Sequence, residues 1–255
     1  MFEIIICIIA GLGAGFGTGF AGMSAAAVIS PLLITFLHMD PYLAVGIALA
    51  SDVLASAASA ITYGKNKNLD IKNGIIMMIS VLCFTMVGSY IASIVPKTTM
   101  GNFSVFMTLL LGIKFIVKPV TEPKQRLLAA TAKQKAIRSV ACGAAVGFIC
   151  GFVGAGGGMM MLLVLTSVLG YELKTAVGTS VFIMSATALT GSVSHFVIGG
   201  MPDIKALVIC VVSTLVFAQI ASLLANKLPA KTLNRITGAI LVVLGIAVLG
   251  VNYLA

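Results

Sequence analysis

A run of four glycines in five residues, Gly154-Ala155-Gly156-Gly157-Gly158, interrupts a long apolar segment. Glycine lets the chain reverse sharply and lets a ligand approach the backbone, because no Cβ stands in the way. If a helix begins after such a turn, its first N–H groups have no partner within the helix and carry the positive end of the helix dipole. The run therefore predicts a site for a small oxyanion that needs no charged side chain. The alternative is that these glycines only allow close helix packing.

A weaker form of this pattern, Gly22-Met23-Ser24-Ala25, stands 132 residues earlier in the chain. Serine and alanine replace glycine here, so the Ser24 hydroxyl becomes available as a donor or helix cap. The flanking residues repeat as well: Gly15-Phe16, Gly19-Phe20 and Ala44-Val45-Gly46 recur as Gly147-Phe148, Gly151-Phe152 and Ala176-Val177-Gly178. Paired glycine breaks in a duplicated apolar chain indicate a transport site between the two halves of a membrane protein.

Three polar side chains stand near these turns or deep in an apolar segment. Asp52 is near the middle of its segment, where a carboxylate costs about 2.5 to 3.5 kcal/mol on insertion scales, which makes it the candidate for proton coupling. The alternative is a neutral carboxyl bonded to Ser51 or Ser56. Thr179 and Ser180 stand near the start of the sixth segment, where they either contact an anion or bond back to their own helix.

Metal, cofactor and catalytic chemistry are not expected. The five cysteines are scattered through apolar segments, with no CxxC pair and no histidine at ligand spacing. No pair of His, Cys or carboxylate residues stands at catalytic depth, and nothing resembles a P-loop, so the chain is not predicted to be an enzyme. The net charge of +9 suggests a bilayer as partner and not nucleic acid, because no Lys or Arg occurs before Lys65.

The elements that must position these residues are membrane helices. Of the 255 residues, 60% are hydrophobic and 9% charged, which predicts an all-α polytopic membrane protein. Two apolar segments, Phe2 to Leu37 and Ala136 to Leu169, would each extend about 50 Å as straight helices, against a hydrocarbon core of about 30 Å. They must tilt, project into water or fold back at their glycines. Six further segments have the length of single spans: Tyr42 to Tyr63, Gly74 to Val95, Phe103 to Val117, Leu173 to Ile198, Ala206 to Ala225 and Leu233 to Leu254.

The distribution of basic residues favours the folded-back arrangement. If both long segments are re-entrant hairpins, fourteen of the sixteen Lys and Arg fall on one side of the membrane and two on the other. This predicts two inverted repeats, residues 1–118 and 136–255, each a hairpin plus three transmembrane helices. A basic cytoplasmic linker, residues 119–135, joins them. Both termini are then extracytoplasmic, in the cell membrane.

The Gly-rich turn, followed by an apolar run and Ala176-Val177-Gly178-Thr179-Ser180, resembles the sulfite exporter TauE/SafE family of membrane permeases. The duplicated layout from about Gly11 to Leu249 is similar to that family over nearly the whole chain. The resemblance implies transport of small sulfur-containing or carboxylate anions. The chain departs from the family pattern in the first turn, which lacks a glycine triplet, and at Leu163, which occupies the position matching Pro31.

These observations together predict a secondary transporter that moves a small anion by alternating access between two facing turns. The predicted partners are the anion, the lipid bilayer and protons as candidate coupling ions, while a homodimer stays open. A passive anion channel using the same helix dipoles is the alternative, and it would show no saturation or counter-ion coupling. A membrane subunit that only binds partners is a further class.

Overall fold

The computed structural model describes residues 1–94, 109–110, 113–118, 122–123, 131–153 and 157–254. Besides a helical stretch at residues 113–117, nine helices and one π-helical segment form the described structure. In chain order they are α1 Phe2–Ala21, α2 Ala26–Leu37, α3 Pro41–Lys65, α4 Ile71–Ile94, α5 Ala132–Val153, α6 Gly157–Leu163, the π-helical segment Val164–Leu169, α7 Leu173–Gly199, α8 Ile204–Lys227 and α9 Ala230–Leu254.

Five of these helices, α1, α3, α7, α8 and α9, are long and apolar enough to cross a membrane. Shorter apolar helical stretches include Ala26–Leu37 and Ile71–Val87. The predicted all-α, multi-pass class is therefore confirmed. Asp40 and Asp203 begin α3 and α8 by accepting hydrogen bonds from the first amides of each helix, as expected of N-cap residues. The predicted span from Phe103 to Val117 lies largely outside the described residues.

The first overlong segment folds back on itself. A Cβ built on Gly13 would lie 3.1 Å from Cγ1 of Val28, and one on Gly17 would collide with the end of the Met23 side chain. Because later residues of α1 meet earlier residues of the following stretch, α2 runs back along α1. The predicted fold-back is thus seen in this segment, while α1 is by itself long enough to cross a membrane, so the re-entrant placement stays a prediction. In the second long segment α5 ends at Val153 and helix resumes at Gly157, while Gly154, Ala155 and Gly156 lie outside the described residues.

Glycine stripes join the two halves of the chain. Gly11, Gly15 and Gly19 of α1 contact α8, with their nearest atoms in residues 213–214, 214–218 and 218–222 respectively. The residue numbers of the contacting positions rise together along both helices, so α1 and α8 are parallel. The packing interpretation of these three glycines is confirmed, because a Cβ on Gly15 would lie 2.8 Å from the Ala218 nitrogen.

The corresponding glycines of the second half make the matching contact with α4. A Cβ on Gly143 would lie 2.8 Å from the Met77 carbonyl oxygen, and one on Gly147 would lie 2.9 Å from the Val81 Cα. These numbers also rise together, so α4 and α5 are parallel. The glycine-bearing helix of each half, α1 or α5, therefore packs against a helix of the other half.

Substitution of Gly147 by alanine is expected to lower the free energy of unfolding by about 1 to 3 kcal/mol, the usual effect of overpacking. The new methyl group would meet the backbone of Val81, which cannot move aside as a flexible side chain can. Unfolding of the purified protein in detergent micelles measures the change. Gly250→Ala is the matched control, since nothing lies within 4 Å of its Cβ position. Equal stability of the two variants would contradict this packing.

The equivalent helices α3 and α7 cross the centre of the molecule in opposite directions. Near the start of α3, a Cβ on Gly46 would lie 2.8 Å from the Phe196 ring, at the far end of α7. Near the start of α7, a Cβ on Gly178 would collide with the carbonyl oxygen of Asn68, just beyond α3. Antiparallel equivalent helices are what an inverted repeat requires. The inverted repeat itself stays a prediction.

Candidate substrate site

The first turn begins where α1 ends in a left-handed residue. Gly22 has φ +59°, and its N–H donates to the Thr18 carbonyl oxygen at 2.9 Å. This conformation is strained for residues with a side chain, which explains glycine at this position. The Thr18 hydroxyl donates to the carbonyl oxygen of Met23 at 2.9 Å, across the turn. Met23 is 1% exposed, so the turn is held inside the protein.

Ser24 and Ala25 start the returning helix α2. The Ser24 hydroxyl accepts a hydrogen bond from the N–H of Ala26 at 3.3 Å, as a helix cap does. The N–H of Ser24 itself makes no hydrogen bond to any acceptor among the described residues. It stands at the positive end of a twelve-residue helix. This amide is therefore a donor available to a bound anion.

The start of α6 touches the first turn directly. Gly158 is buried, and a Cβ built on it would lie 2.5 Å from the backbone nitrogen of Ser24 and 3.1 Å from the Gly22 carbonyl oxygen. Gly157 begins α6, immediately before this contact. Thus at least one glycine of the predicted run is required by the close approach of α6 to the first turn. The structure brings Gly22, Ser24 and Gly158 to one place, as the repeat predicts.

Of two neighbouring hydroxyls on helix α7, one faces the first turn and the other points away from it. Ser180, fully buried, donates to the Gly22 carbonyl oxygen at 3.1 Å. The Thr179 hydroxyl instead accepts the N–H of Asp70 at 3.2 Å, in the loop between α3 and α4. Neighbouring residues on a helix point about 100° apart, so only one of the pair can face the turns. Ser180 is the one beside the site.

Asp52 is the only carboxylate that is buried among the described residues, and it is 0% exposed. It is the twelfth of twenty-five residues in α3, and its Oδ1 accepts the Ser56 hydroxyl at 2.8 Å. Ser51 bonds instead to the Ile47 carbonyl oxygen of its own helix. Of the two bonding partners considered for Asp52, Ser56 is confirmed.

The Asp52 carboxyl also faces the first turn. The Ser24 hydroxyl, the Ala25 amide and the Thr18 hydroxyl lie close enough to this carboxyl to interact with it as weak hydrogen-bond donors. Its second oxygen, Oδ2, has no hydrogen-bond partner of standard geometry in the described part of the chain. Close together at the first turn therefore lie Asp52 Oδ2, which has no hydrogen bond of standard geometry, and the Ser24 N–H, which has no acceptor in the described ranges.

Sequence reasoning missed three residues that shape the site. Thr18 and Tyr63 hold the end of α1, the latter by donating from its hydroxyl to the Gly19 carbonyl oxygen at 2.8 Å. The sulfur of Met184 lies 2.9 Å from the Cβ position of Gly158. One signal was present for Thr18, because it is the single hydroxyl between two glycines, Gly17 and Gly19. No comparable signal marked Tyr63 or Met184.

The two ends of the α3 and α7 pair are closed by different contacts. At one end His195 Nδ1 lies 2.9 Å from the Tyr42 carbonyl oxygen, and the two rings are 4.1 Å apart. At the other end Tyr171 donates to Asp70 Oδ2 at 2.8 Å. Burial first, and the neighbouring Asp70 second, raise the pKa of Tyr171, so its hydroxyl remains a donor at neutral pH.

Comparison with known proteins extends over almost the entire chain. The family model described as Sulfite exporter TauE/SafE matches residues 7–248. The chain is 27% identical to the Probable membrane transporter protein YunE of Bacillus subtilis, an alignment covering 95% of this chain and 96% of that one. It is 22% identical to the Probable membrane transporter protein YdhB of the same organism, covering 85% of this chain and 88% of the relative.

Proposed function

Because this chain belongs to the sulfite exporter TauE/SafE family, we propose that it is a secondary transporter of a small anion, most simply a sulfur-containing oxyanion, an organosulfonate or a carboxylate. Membership of the family and the names of the relatives support a membrane transporter of the permease type. The anion crosses the membrane unchanged. No chemical conversion is part of the proposal.

One observation carries the choice of an anion: the contact between the Ser24 amide in the first turn and Gly158 at the start of α6. This region combines the positive end of α2 with the Ser24 N–H, which has no acceptor among the described residues, and the Ser180 hydroxyl holds the turn there by donating to the Gly22 carbonyl oxygen. A helix N-terminus with unpaired amides favours negative charge and can hold an oxyanion without Lys or Arg. A cation or a neutral solute would gain nothing from these dipoles.

Alternating access is the mechanism that fits a site of this kind. The two turns are in contact, so an anion enters only when they separate. Among the contacts that join the halves, two lie at opposite ends of α3 and α7: the Tyr42 and His195 rings at one end, and the Asp70, Tyr171 and Thr179 hydrogen bonds at the other. In an inverted repeat, rocking one half against the other opens one end while closing the other.

The orientation follows from the basic residues. Lys65, Lys67 and Lys72 flank the end of α3 at which Tyr171 contacts Asp70. By the positive-inside rule this end is cytoplasmic. The end bearing Tyr42 and His195 then faces outward, and both chain termini are extracytoplasmic. The membrane is the cytoplasmic membrane.

Purified protein reconstituted into liposomes tests the proposal. The liposomes are loaded in turn with sulfite, thiosulfate, taurine, sulfoacetate and acetate, and flux is measured with and without a proton gradient. We expect saturable flux of at least one sulfur-containing anion or carboxylate, and exchange of labelled for unlabelled anion across the membrane. Flux that rises linearly with concentration and shows no exchange would indicate a channel. Flux equal to that of empty liposomes for every anion would refute the proposal.

Substitution of Ser180 by alanine is expected to weaken anion binding about five- to tenfold, because the first turn loses the hydrogen bond that holds the Gly22 carbonyl oxygen, worth about 1 to 1.5 kcal/mol. The hydroxyl holds the Gly22 carbonyl at 3.1 Å and stands beside the site. The half-saturation concentration of flux measures the effect. Ser185→Ala is the matched control on the same helix, because that hydroxyl bonds to its own helix at the Phe182 carbonyl oxygen. An equal response of both variants would contradict a role for Ser180.

A further inference from the structure

The carboxyl of Asp52 lies at the same helix end that the proposed function assigns to the anion. Its neighbours are Ser24 and Ala25 at the start of α2, Thr18 near the end of α1 and Ser56 on its own helix. One oxygen, Oδ1, is held by Ser56 at 2.8 Å. The other, Oδ2, is fully buried and lacks a hydrogen-bond partner in the described ranges. This carboxylate oxygen, at the positive end of α2, therefore occupies the kind of position that a bound oxyanion would take.

Two negative charges cannot both occupy this region. Like charges within a few ångströms in a medium of low polarity repel strongly, and one of them must leave or take up a proton. The groups that act on Asp52 from α1, α2 and α3 are hydroxyls and one amide, none of which titrates near neutral pH. A proton is therefore the available means of removing the Asp52 charge when an anion arrives.

We propose that the ionised Asp52 carboxylate and the transported anion compete for the positive end of α2, so that each anion is bound together with one proton. This inference rests on the proposed function and specifies its coupling. Without an anion, the carboxylate occupies the dipole of α2. When the anion binds, a proton from the aqueous phase transfers to Asp52, the neutral carboxyl no longer competes for the dipole, and the net negative charge entering the site is reduced by one.

Such competition fixes the sign of the pH dependence. Protonation of Asp52 removes the competitor, so the anion binds more tightly as the pH falls. By reciprocity, anion binding increases proton uptake by the same factor. For one proton per anion, the Kd rises by up to about tenfold for each pH unit above the value at which Asp52 loses its proton. A proton gradient then drives the anion in the same direction as the protons.

Calorimetric titration of the purified, detergent-solubilised protein tests this coupling. The probes are thiosulfate and methanesulfonate, whose charges stay constant between about pH 5.5 and 8. Titrations in buffers of different ionisation enthalpy give the number of protons taken up per anion. The wild type should take up close to one proton in the upper part of this range and bind more tightly at low pH. Asp52→Asn should take up none and bind at all pH values about as tightly as the wild type does at low pH.

Two further variants serve as a specificity control and as a second readout of the Asp52 titration. Glu3→Gln removes a carboxylate near the start of α1 and should keep the wild-type pH profile, which shows that the loss is specific to Asp52. Ser56→Ala keeps the carboxyl but removes the hydroxyl that donates to the charged form. It should move the change in Kd to higher pH, and it provides a readout if Asp52→Asn fails to fold.

The outcomes separate this inference from the proposed function. If the wild type binds a probe with a Kd that does not change with pH, or if Asp52→Asn still takes up a proton, the competition is refuted and anion binding stands. If neither probe binds the wild type at any pH and the liposome assay shows no anion flux, the proposed function fails and the inference fails with it.

Discussion

Substitution of Gly158 by alanine is expected to reduce anion flux at least tenfold while leaving the protein folded. The new Cβ would lie 2.5 Å from the Ser24 nitrogen and 3.1 Å from the Gly22 carbonyl oxygen. Both are backbone atoms, so the two turns must move apart. Overpacking of this kind typically costs about 1 to 3 kcal/mol, and here the displacement falls on the groups proposed to bind the anion.

The geometry of binding makes this small shift important. An anion held by amides depends on hydrogen bonds near 2.9 Å, which weaken steeply as donors move away or tilt. A displacement of about 1 Å in a preorganised site is enough to lose most of its function. The expected defect is therefore in transport more than in stability. Initial rates of anion uptake into liposomes, normalised to folded protein by gel filtration, measure it.

Gly191→Ala is the matched control for this prediction. Gly191 also lies in a helix, and its Cβ position is 2.9 Å from an atom, but that atom is the terminal Cδ1 of Leu49. A flexible side chain can move aside, so this variant should transport at close to the wild-type rate. Wild-type flux in Gly158→Ala would mean that the contact between the two turns has no part in transport.

A covalent link from either end of α3 to the other half of the chain, to α7 at one end and to α8 at the other, is expected to abolish transport, lowering flux more than tenfold, and reduction of the link to restore it. The outer pair is Tyr42→Cys with His195→Cys, whose rings are 4.1 Å apart. The inner pair is Asn68→Cys with Asn226→Cys, whose side chains are joined by a 2.7 Å hydrogen bond. If the halves rock, both ends must open during each cycle, so fixing either end stops the cycle.

The experiment uses a background in which the five native cysteines are replaced by alanine, and a short bis-methanethiosulfonate cross-linker, whose disulfide bonds to the two cysteines are cleaved by a thiol reductant. The native residues are Cys7, Cys83, Cys142, Cys150 and Cys210. The four single-cysteine variants, treated with the same reagent, control for modification alone. Full flux in a protein shown by mass spectrometry to be cross-linked at one end would contradict alternating access and favour a fixed pathway.

Much of the fold could be predicted because its signals are periodic and local. The lengths of the apolar segments identify the membrane helices, and the glycine spacing of Gly11, Gly15 and Gly19 identifies a packing face. The excess length of Phe2 to Leu37 predicted a reversal, which occurs between Ala21 and Ala26. The repeat further predicted that Gly22 and Gly158 belong to related turns. These inferences need only sequence distances and the dimensions of a bilayer.

The details of the site could not be predicted because they depend on how helices rotate and cross. Thr179 and Ser180 are adjacent and chemically alike, yet only Ser180 faces the Gly22 carbonyl oxygen. The approach of Asp52 to the start of α2 follows from the packing of α2 on α3, which no residue spacing encodes. Tyr63 reaches Gly19 across 44 positions in the chain. Gly154, Ala155 and Gly156, which were predicted to line the site, lie outside the described residues.

The measurement that tests the central claim most directly is the location of a bound oxyanion by anomalous diffraction. Selenite is the heavier analogue of sulfite, and selenium gives a clear anomalous signal in crystals of the protein. We expect one strong peak between the two turns, within hydrogen-bonding distance of the Ser24 amide and beside the Ser180 hydroxyl and Gly158. A peak elsewhere in the membrane region, with Ser24 and Gly158 still in contact, would contradict the proposal that these turns bind the anion.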